Sequence, residues 1–488
     1  MHPETRTPEP IRRAPQIWEI PQDFRSDMRV PARVFASAEL LEQIRRDRSL
    51  AQLVNVATLP GLAAPAMGMP DMHEGYGFPV GGVAATRYPE GVISPGGIGF
   101  DINCGVRLLS TELRREEVEP HLGALLHEIS RSVPAGYGRG SRELAFSGPK
   151  LDRILEEGVR HLVTKYGIGT EDDLPFIESE GTIPGARASE VSERAKNRGK
   201  DQLGTLGGGN HFLEIQYIEE IYDRELARAF GLGEVGQITV LIHTGSRGLG
   251  HQVCTDYVKR MDAAMHAYGI QVPDRQLACA PLDSPEGRSY FAAMCAAANF
   301  AFCNRQVIAH RVRRAFEYVL GGKGFGSRAG ELRTVYDVAH NIAKLERFGD
   351  EVLCVHRKGA TRAFGPSADE LPEAYKGFGQ PVFIPGSMGT YSYVLAGRDE
   401  AKELSLASTC HGAGRAMSRA AAKRQVSGAE LRRELASRGI FVEGASNKEL
   451  AEEAPAAYKD VDAVVDVVHK AGIAKKVARV RPIAVRKG

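Results

Sequence analysis

The stretch QITVLIHTGSRGLGH, residues 237–251, decides how the chain folds. An apolar, β-branched run closed by glycines predicts a buried strand running into a Gly-rich turn, with His243 at the strand's C-terminal end. Working outward, QPVFIPGSMGTYSYVL (380–395) reads as two strands around a Pro-Gly turn. Helical spacing occurs over about 149–166, 286–319, 398–407, 414–425, 428–437 and 447–454. Helical periods and short strand-like runs alternate irregularly, and the turns are rich in the chain's 54 glycines. The pattern is α+β, with function carried on loops.

The 488 residues suffice for a large core. With 43% apolar and 25% charged residues and a formal net charge of +2, any nucleic-acid surface must be a local patch rather than a global field. The opening MHPETRTPEPIRRAPQIWEIP has no apolar core of the signal-peptide kind, and no run is apolar for long enough to span a bilayer. The seven cysteines are scattered without a C-x-x-C pair, which fits a reducing cytosol. A cytoplasmic protein without membrane contact is expected. The Pro/Arg-rich residues 1–15 read as a flexible arm, and 16–488 as one domain.

Metal-capable side chains fall in Gly-rich turns: PDMHEGYG (70–77), SPGGIGFDINCGVRL (94–108), LGGGNHFLEI (206–215), LIHTGSRGLGH (241–251) and YDVAHNIAKLE (336–346). Asp101 and Cys104, three apart, can aim at one ion; a lone D-x-x-C is more often structural, but glycines at 96, 97, 99 and 105 suggest backbone packed around something. His211, after three glycines, fits a ligand and a satisfied core histidine about equally. His243 favours function slightly, and His340 alone reads as core or cap. Together these residues supply three imidazoles, one carboxylate and one thiolate. One tetrahedral ion needs fewer, and a shared thiolate can bridge two. Ligand types alone point to zinc.

STCHGAGRAMSR (408–419) reads as a loop feeding a helix N-terminus, a place that favours phosphate, with Arg415, Arg419 and Lys423 on one side. His411 stands where a lysine or hydroxyl is usual. Asp71 can bind metal or orient a water, and His73 can support a ligand. His251, His266, His310 and His469 read as structural, and Cys410 as packed. His356 reads as part of a basic, phosphate-facing loop; Ala363 removes the aspartate that an H-x-K-x₄-D phosphodiesterase motif requires. The tail AKKVARVRPIAVRKG (474–488) interleaves charge with apolar residues, so it is expected to pack and to deliver Lys487 to a specific place.

GGIGFDINCGVRL, GGGNHFLEI, HTGSRGLG, VAHNIA, HRKGATRAF, IPGSMGTYSYVL, STCHGAGR and EEAPAAYKDVD, in this order, resemble the RtcB family of GTP-dependent RNA ligases, from about residue 65 to the C-terminal RPIAVRKG. The resemblance implies a single family-specific domain around a central metal and nucleotide cleft. It implies joining of RNA 2′,3′-cyclic phosphate or 3′-phosphate ends to 5′-hydroxyl ends, in tRNA splicing and RNA repair. GTP and two Mn²⁺ ions come with it, which replaces the zinc expectation. Asp101, Cys104 and His211 would hold one ion, and Cys104, His243 and His340 the other. His411 would be the guanylylated nucleophile.

The resemblance places guanylate contacts at Asn210, His211, Phe212, Leu213, Glu214, His340, Asn341, Pro385, Gly386, Ser387, Met388, Ser392, His411, Gly412, Ala413, Gly414, Tyr458 and Lys487. Partners are RNA ends, GTP and an archease-type activator, with a monomer expected. Two other readings remain: a Mn²⁺-dependent RNA end-processing phosphodiesterase that never guanylylates His411, and a non-catalytic RNA-binding scaffold. Tyr391 stands in GTYSYVL where a small residue would also fit.

Overall fold

The strand expected from the opening stretch is Gln237–Thr244, near the middle of an eight-stranded sheet. The computed structural model describes residues 7–141, 143–444 and 446–488. Gly105–Arg114 and Phe212–Ile221 pair antiparallel with Gln237–Thr244 on its two sides. Arg333–Ala339 lies beyond the first. Beyond the second come the tail strand Ala474–Lys487, Ser392–Gly397 and Pro381–Ile384. Phe441–Glu443 adds to the tail strand in parallel.

Pleating sends alternate side chains to opposite faces. Val240 and Ile242 enter a core shared with Ile308, Val312 and Phe316 of the 36-residue helix Pro285–Leu320. Leu241 enters the core on the other face, with Val106, Leu108, Phe212, Val338 and Val485. The parity that buries Leu241 carries His243 to that same face.

A seven-stranded sheet runs Ile11–Ala14, Ile17–Ile20, Ala32–Phe35, Ala66–His73, Val80–Arg87, Glu351–Lys358, Asn341–Phe348. The chain leaves the eight-stranded sheet at Ala339 and enters the seven-stranded one at Asn341, so His340 sits at the crossover. A two-stranded ribbon, Ala360–Arg362 with Ser408–Cys410, ends beside that point and presents His411. Among the described residues of the arm, Ile11–Ala14 is the edge strand of a hairpin with Ile17–Ile20; residues 1–6 lie outside the described residues.

Several boundaries differ from expectation. The turn after His243 is only Gly245–Ser246, and Arg247 begins a helix that runs to Ala267. The period over 414–425 becomes helical only at Arg419–Gln425. Gly414 has φ +72°, the N–H groups of Ala416 and Met417 both donate to Ala457 O, and Ser418 caps the helix. His411 is therefore not at a helix N-terminus. The helix expected over 398–407 is confined to Ala401–Ser405, and that over 447–454 to Asn447–Glu452. His356 is not in a loop: it lies buried in Glu351–Lys358, and its Nε2 accepts from Ser94 N–H at 3.3 Å.

Candidate active site

Ladder register assembles the site. Val338, Val106, His243, Phe212 and Lys487 stand opposite one another across successive strands, and Leu241, Glu214 and Val485 form the next row. Residues of one row share a face. The rows end in a cavity of about 740 Å³ between the sheets, lined also by Asp101, Cys104, His211, His340 and His411.

Two donor triads share Cys104: Asp101, Cys104 and His211, and Cys104, His243 and His340, each with its donor atoms within 4.8 Å of one another. Cys104 Sγ lies 3.4 Å from His211 Nε2 and 3.3 Å from His243 Nε2, and the Nε2 atoms of His243 and His340 face each other at 3.3 Å. His211 Nδ1 contacts Leu206 O at 2.8 Å, which turns Nε2 toward Asp101 Oδ2 at 2.7 Å. Burial pushes the Asp101 carboxyl up, but His211 and Arg247 outweigh it and hold it at about 2. Burial, reinforced by Asp101, drives the Cys104 thiol well up. Burial drives His243 and His340 well down, so both imidazoles are neutral and keep a lone pair. Converging buried donors of this kind are a place where a proton or a metal cation can sit. The two triads have the chemistry to hold a cation each, with the Cys104 sulfur, once deprotonated, a donor common to both.

Beside the triads, His411 packs against His340 with ring centroids 4.8 Å apart. Its Nδ1 meets Asp71 Oδ2 at 2.6 Å, and the same oxygen accepts the His411 backbone N–H at 3.0 Å. Burial pushes the Asp71 carboxyl up, while the His411 and Lys459 charges and the His411 bonds pull it further down, so the carboxylate persists. An acidic oxygen fixed on Nδ1 selects the Nδ1–H tautomer and leaves Nε2 a free lone pair. Asp71 lies outside both donor triads, and its Oδ2 holds the His411 imidazole. Burial lowers His73 to about 4, and its Nδ1 contacts Asp71 O at 3.0 Å, away from both triads.

On the other side of the triads, Glu214 is buried among Phe212, Lys487 and Gln216. Its Oε2 accepts from Gln216 Nε2 at 2.7 Å, and burial pushes its carboxyl up to about 7. Lys487 Nζ donates to Gly209 O at 2.5 Å and His211 O at 3.1 Å, so the tail strand packs as expected and its Lys487 ties down the GGGNH loop. Arg415 covers the Tyr458 ring at 5.0 Å and donates to its hydroxyl at 3.2 Å.

The chain matches the family model described as tRNA-splicing ligase RtcB over residues 52–488. The chain belongs to the RtcB family. It is 53% identical over 475 residues to a tRNA-splicing ligase RtcB of Archaeoglobus fulgidus, covering 96% of this chain and 97% of that protein. A tRNA-splicing ligase RtcB of Thermococcus kodakarensis is 52% identical over 484 residues, covering 98% and 99%. An RNA-splicing ligase RtcB of Mycobacterium tuberculosis is 49% identical over 443 residues, covering 90% of this chain and all of that protein.

Most of the residues assigned by likeness to RtcB share this one cavity. All the expected guanylate contacts line it except Leu213 and Ser392. The Leu213 side chain is buried in the core on the opposite face. Ser392 Oγ accepts from Gly386 N–H at 3.2 Å and so shapes the Pro385–Met388 turn from behind. Asn341 is spent on the scaffold, accepting from Gly359 N–H at 2.8 Å and donating to Asp101 O at 3.1 Å. The sequence reading missed a further wall of the cavity: Phe100 stacked on His251 at 4.9 Å, Tyr137, and Lys358, whose buried amine is lowered to about 7. His251 therefore reaches the site. The signal available was the interval from Arg247 to His251, one helical turn, which carries both to the same mouth.

Proposed function

We propose that the chain is a GTP- and Mn²⁺-dependent RNA ligase that joins RNA 2′,3′-cyclic phosphate or 3′-phosphate ends to 5′-hydroxyl ends through guanylylated His411. Family membership supports RNA ligation, and the hydrogen bond from His411 Nδ1 to buried Asp71 carries the nucleophile assignment. His411 Nε2 attacks the α-phosphorus of GTP, the bond to the bridging oxygen breaks, and pyrophosphate leaves. The proton stays on Nδ1, hydrogen-bonded to Asp71, whose carboxylate balances the charge on the modified imidazole. An oxygen of the RNA 3′-phosphate then takes the GMP from Nε2, breaking the N–P bond. The RNA 5′-hydroxyl attacks that phosphate and GMP departs. The guanylylation supplies a leaving group, since a bare 3′-phosphate would have to expel oxide.

When bound by Asp101, Cys104 and His211 and by Cys104, His243 and His340, two Mn²⁺ ions would supply charge stabilisation for the phosphate oxygens. Glu214, which lines the cavity, can accept from guanine N1–H and N2–H, which favours GTP over ATP. Arg247, Arg415 and Arg419 at the mouth suit RNA phosphates without reading sequence. The test is joining of a 3′-phosphate RNA to a 5′-hydroxyl RNA. The product should require GTP and Mn²⁺ and should not form with ATP. Joining with no nucleotide, or turnover of cyclic ends alone, would replace this reading with an end-processing hydrolase.

A further inference from the structure

Asp71 does not lie in a regular part of its strand. Gly68 pairs with Gly82 and His73 with Val80, so residues 69–72 bulge opposite Gly81 alone. A bulge re-aims a side chain, here the Asp71 carboxylate toward His411, and frees backbone carbonyls from the ladder. Two of these, Pro70 O and Met72 O, flank Asp71. Both accept from Lys459 Nζ, at 3.3 and 2.5 Å. Lys459 is 6% exposed, and its own backbone N–H donates to Gly414 O at 2.9 Å, three residues after the nucleophile. One residue thus ties the bulge to the His411 loop. Asp71 Oδ1 has no hydrogen-bond partner, and a Cβ at Gly81 would lie 3.2 Å from it. The carboxylate is therefore oriented by its backbone and by His411, not by a direct salt bridge.

We propose that Lys459 is a positioning residue for the guanylylation step, clamping the backbone on both sides of Asp71 so that the carboxylate stays on His411 Nδ1 and Nε2 stays free. The inference rests on His411 being the nucleophile. The charged and titratable groups around Asp71 are His411 and Cys410 from the ribbon, His73 on its own strand, and Lys459, with Asp47 acting on Lys459 in turn. Lys459 does not line the nucleotide cavity. Its loss should therefore slow chemistry while leaving nucleotide affinity intact.

The experiment compares wild type, Lys459→Met and Lys459→Arg in the full chain with Mn²⁺. Three quantities are read: the pH profile of transfer of α-labelled GTP onto His411, the affinity for a GTP analogue with a non-scissile α,β-bridge, and Tm. For Lys459→Met we expect adduct formation slower by about 10²-fold, the scale of a misplaced reacting group. Analogue affinity should change less than about twofold, and the acid limb should move to higher pH because Asp71 loses a nearby cation. Arginine should restore part of the rate. An unchanged rate and profile would overturn the proposal, as would parallel loss of rate, affinity and Tm that arginine does not rescue. Should wild type form no adduct, the functional reading fails instead. The ¹⁵N spectrum of His411 with Zn²⁺ replacing Mn²⁺ then decides the inference: a pure Nδ1–H tautomer in wild type and a mixture in Lys459→Met support it, and identical spectra refute it.

Discussion

Asp71→Asn keeps the shape of the His411 contact but loses the anion that selects the Nδ1–H tautomer. GMP transfer to His411 should fall by on the order of 10³-fold while GTP still binds, which single-turnover labelling measures. Glu214 gives a pH dependence with a definite sign. Its carboxyl is raised from the ordinary 4.5 to about 7, so between those values the folded chain holds a proton that the unfolded chain has lost. Folding stability therefore drops as pH rises through that window. The proposed guanine contact needs the ionised form, so GTP binding should expel that proton below about pH 7. Affinity should weaken by up to about tenfold per unit as pH falls below 7 and level off above it, as calorimetry across pH 5.5–8 would show. Glu214→Gln should bind about 10- to 10²-fold more weakly at pH 8 and lose that acid limb.

At the scale of elements, short loops between rigid strands set the geometry. Gly414 has φ +72°, and a Cβ there would lie 2.2 Å from Asp71 O. Gly414→Ala should cost roughly 1–3 kcal/mol and abolish the adduct, since neither the left-handed backbone nor the space tolerates a side chain. Thermal melting beside the labelling assay checks both. What was legible here follows from how local each signal was. The helix Gly428–Ser437 matches its expected bounds because Ser427 caps it and its apolar stripe is regular. The start of Arg419–Gln425 was illegible because Arg415–Met417 are held by Ala457 and Tyr458, over forty residues on. The helix Arg247–Ala267 hid behind glycines at 248 and 250. Glycine at 248 lies against Arg198, and at 250 a Cβ would strike Ser246.

For the whole molecule, the site lies where two sheets meet, with the strand chain crossing between them at His340. The chemical identity of the donors was readable as a set of imidazoles, a carboxylate and a thiolate in Gly-rich turns; their partition into two triads sharing Cys104 came only with the family resemblance, because it depends on the pairing of Gly105 with Thr244 and Ala339. The Asp71–His411 pair was equally invisible, since 340 positions separate the two. Among the described residues, no helix is long and apolar enough to cross a membrane. Because the donors are buried with their lone pairs converging, metal binding should stabilise the native state by mass action. A chelator should lower Tm by several degrees, and Mn²⁺ should restore it. Cys104→Ser should lose that restoration along with adduct formation.

Whether His411 is the nucleophile is decided by incubating the chain with Mn²⁺ and α-labelled GTP, denaturing it, and locating the retained label by peptide mass spectrometry. An acid-labile, alkali-stable GMP adduct on His411 is expected, absent with ATP and absent in His411→Ala. No adduct, or an adduct that survives His411→Ala, would contradict it.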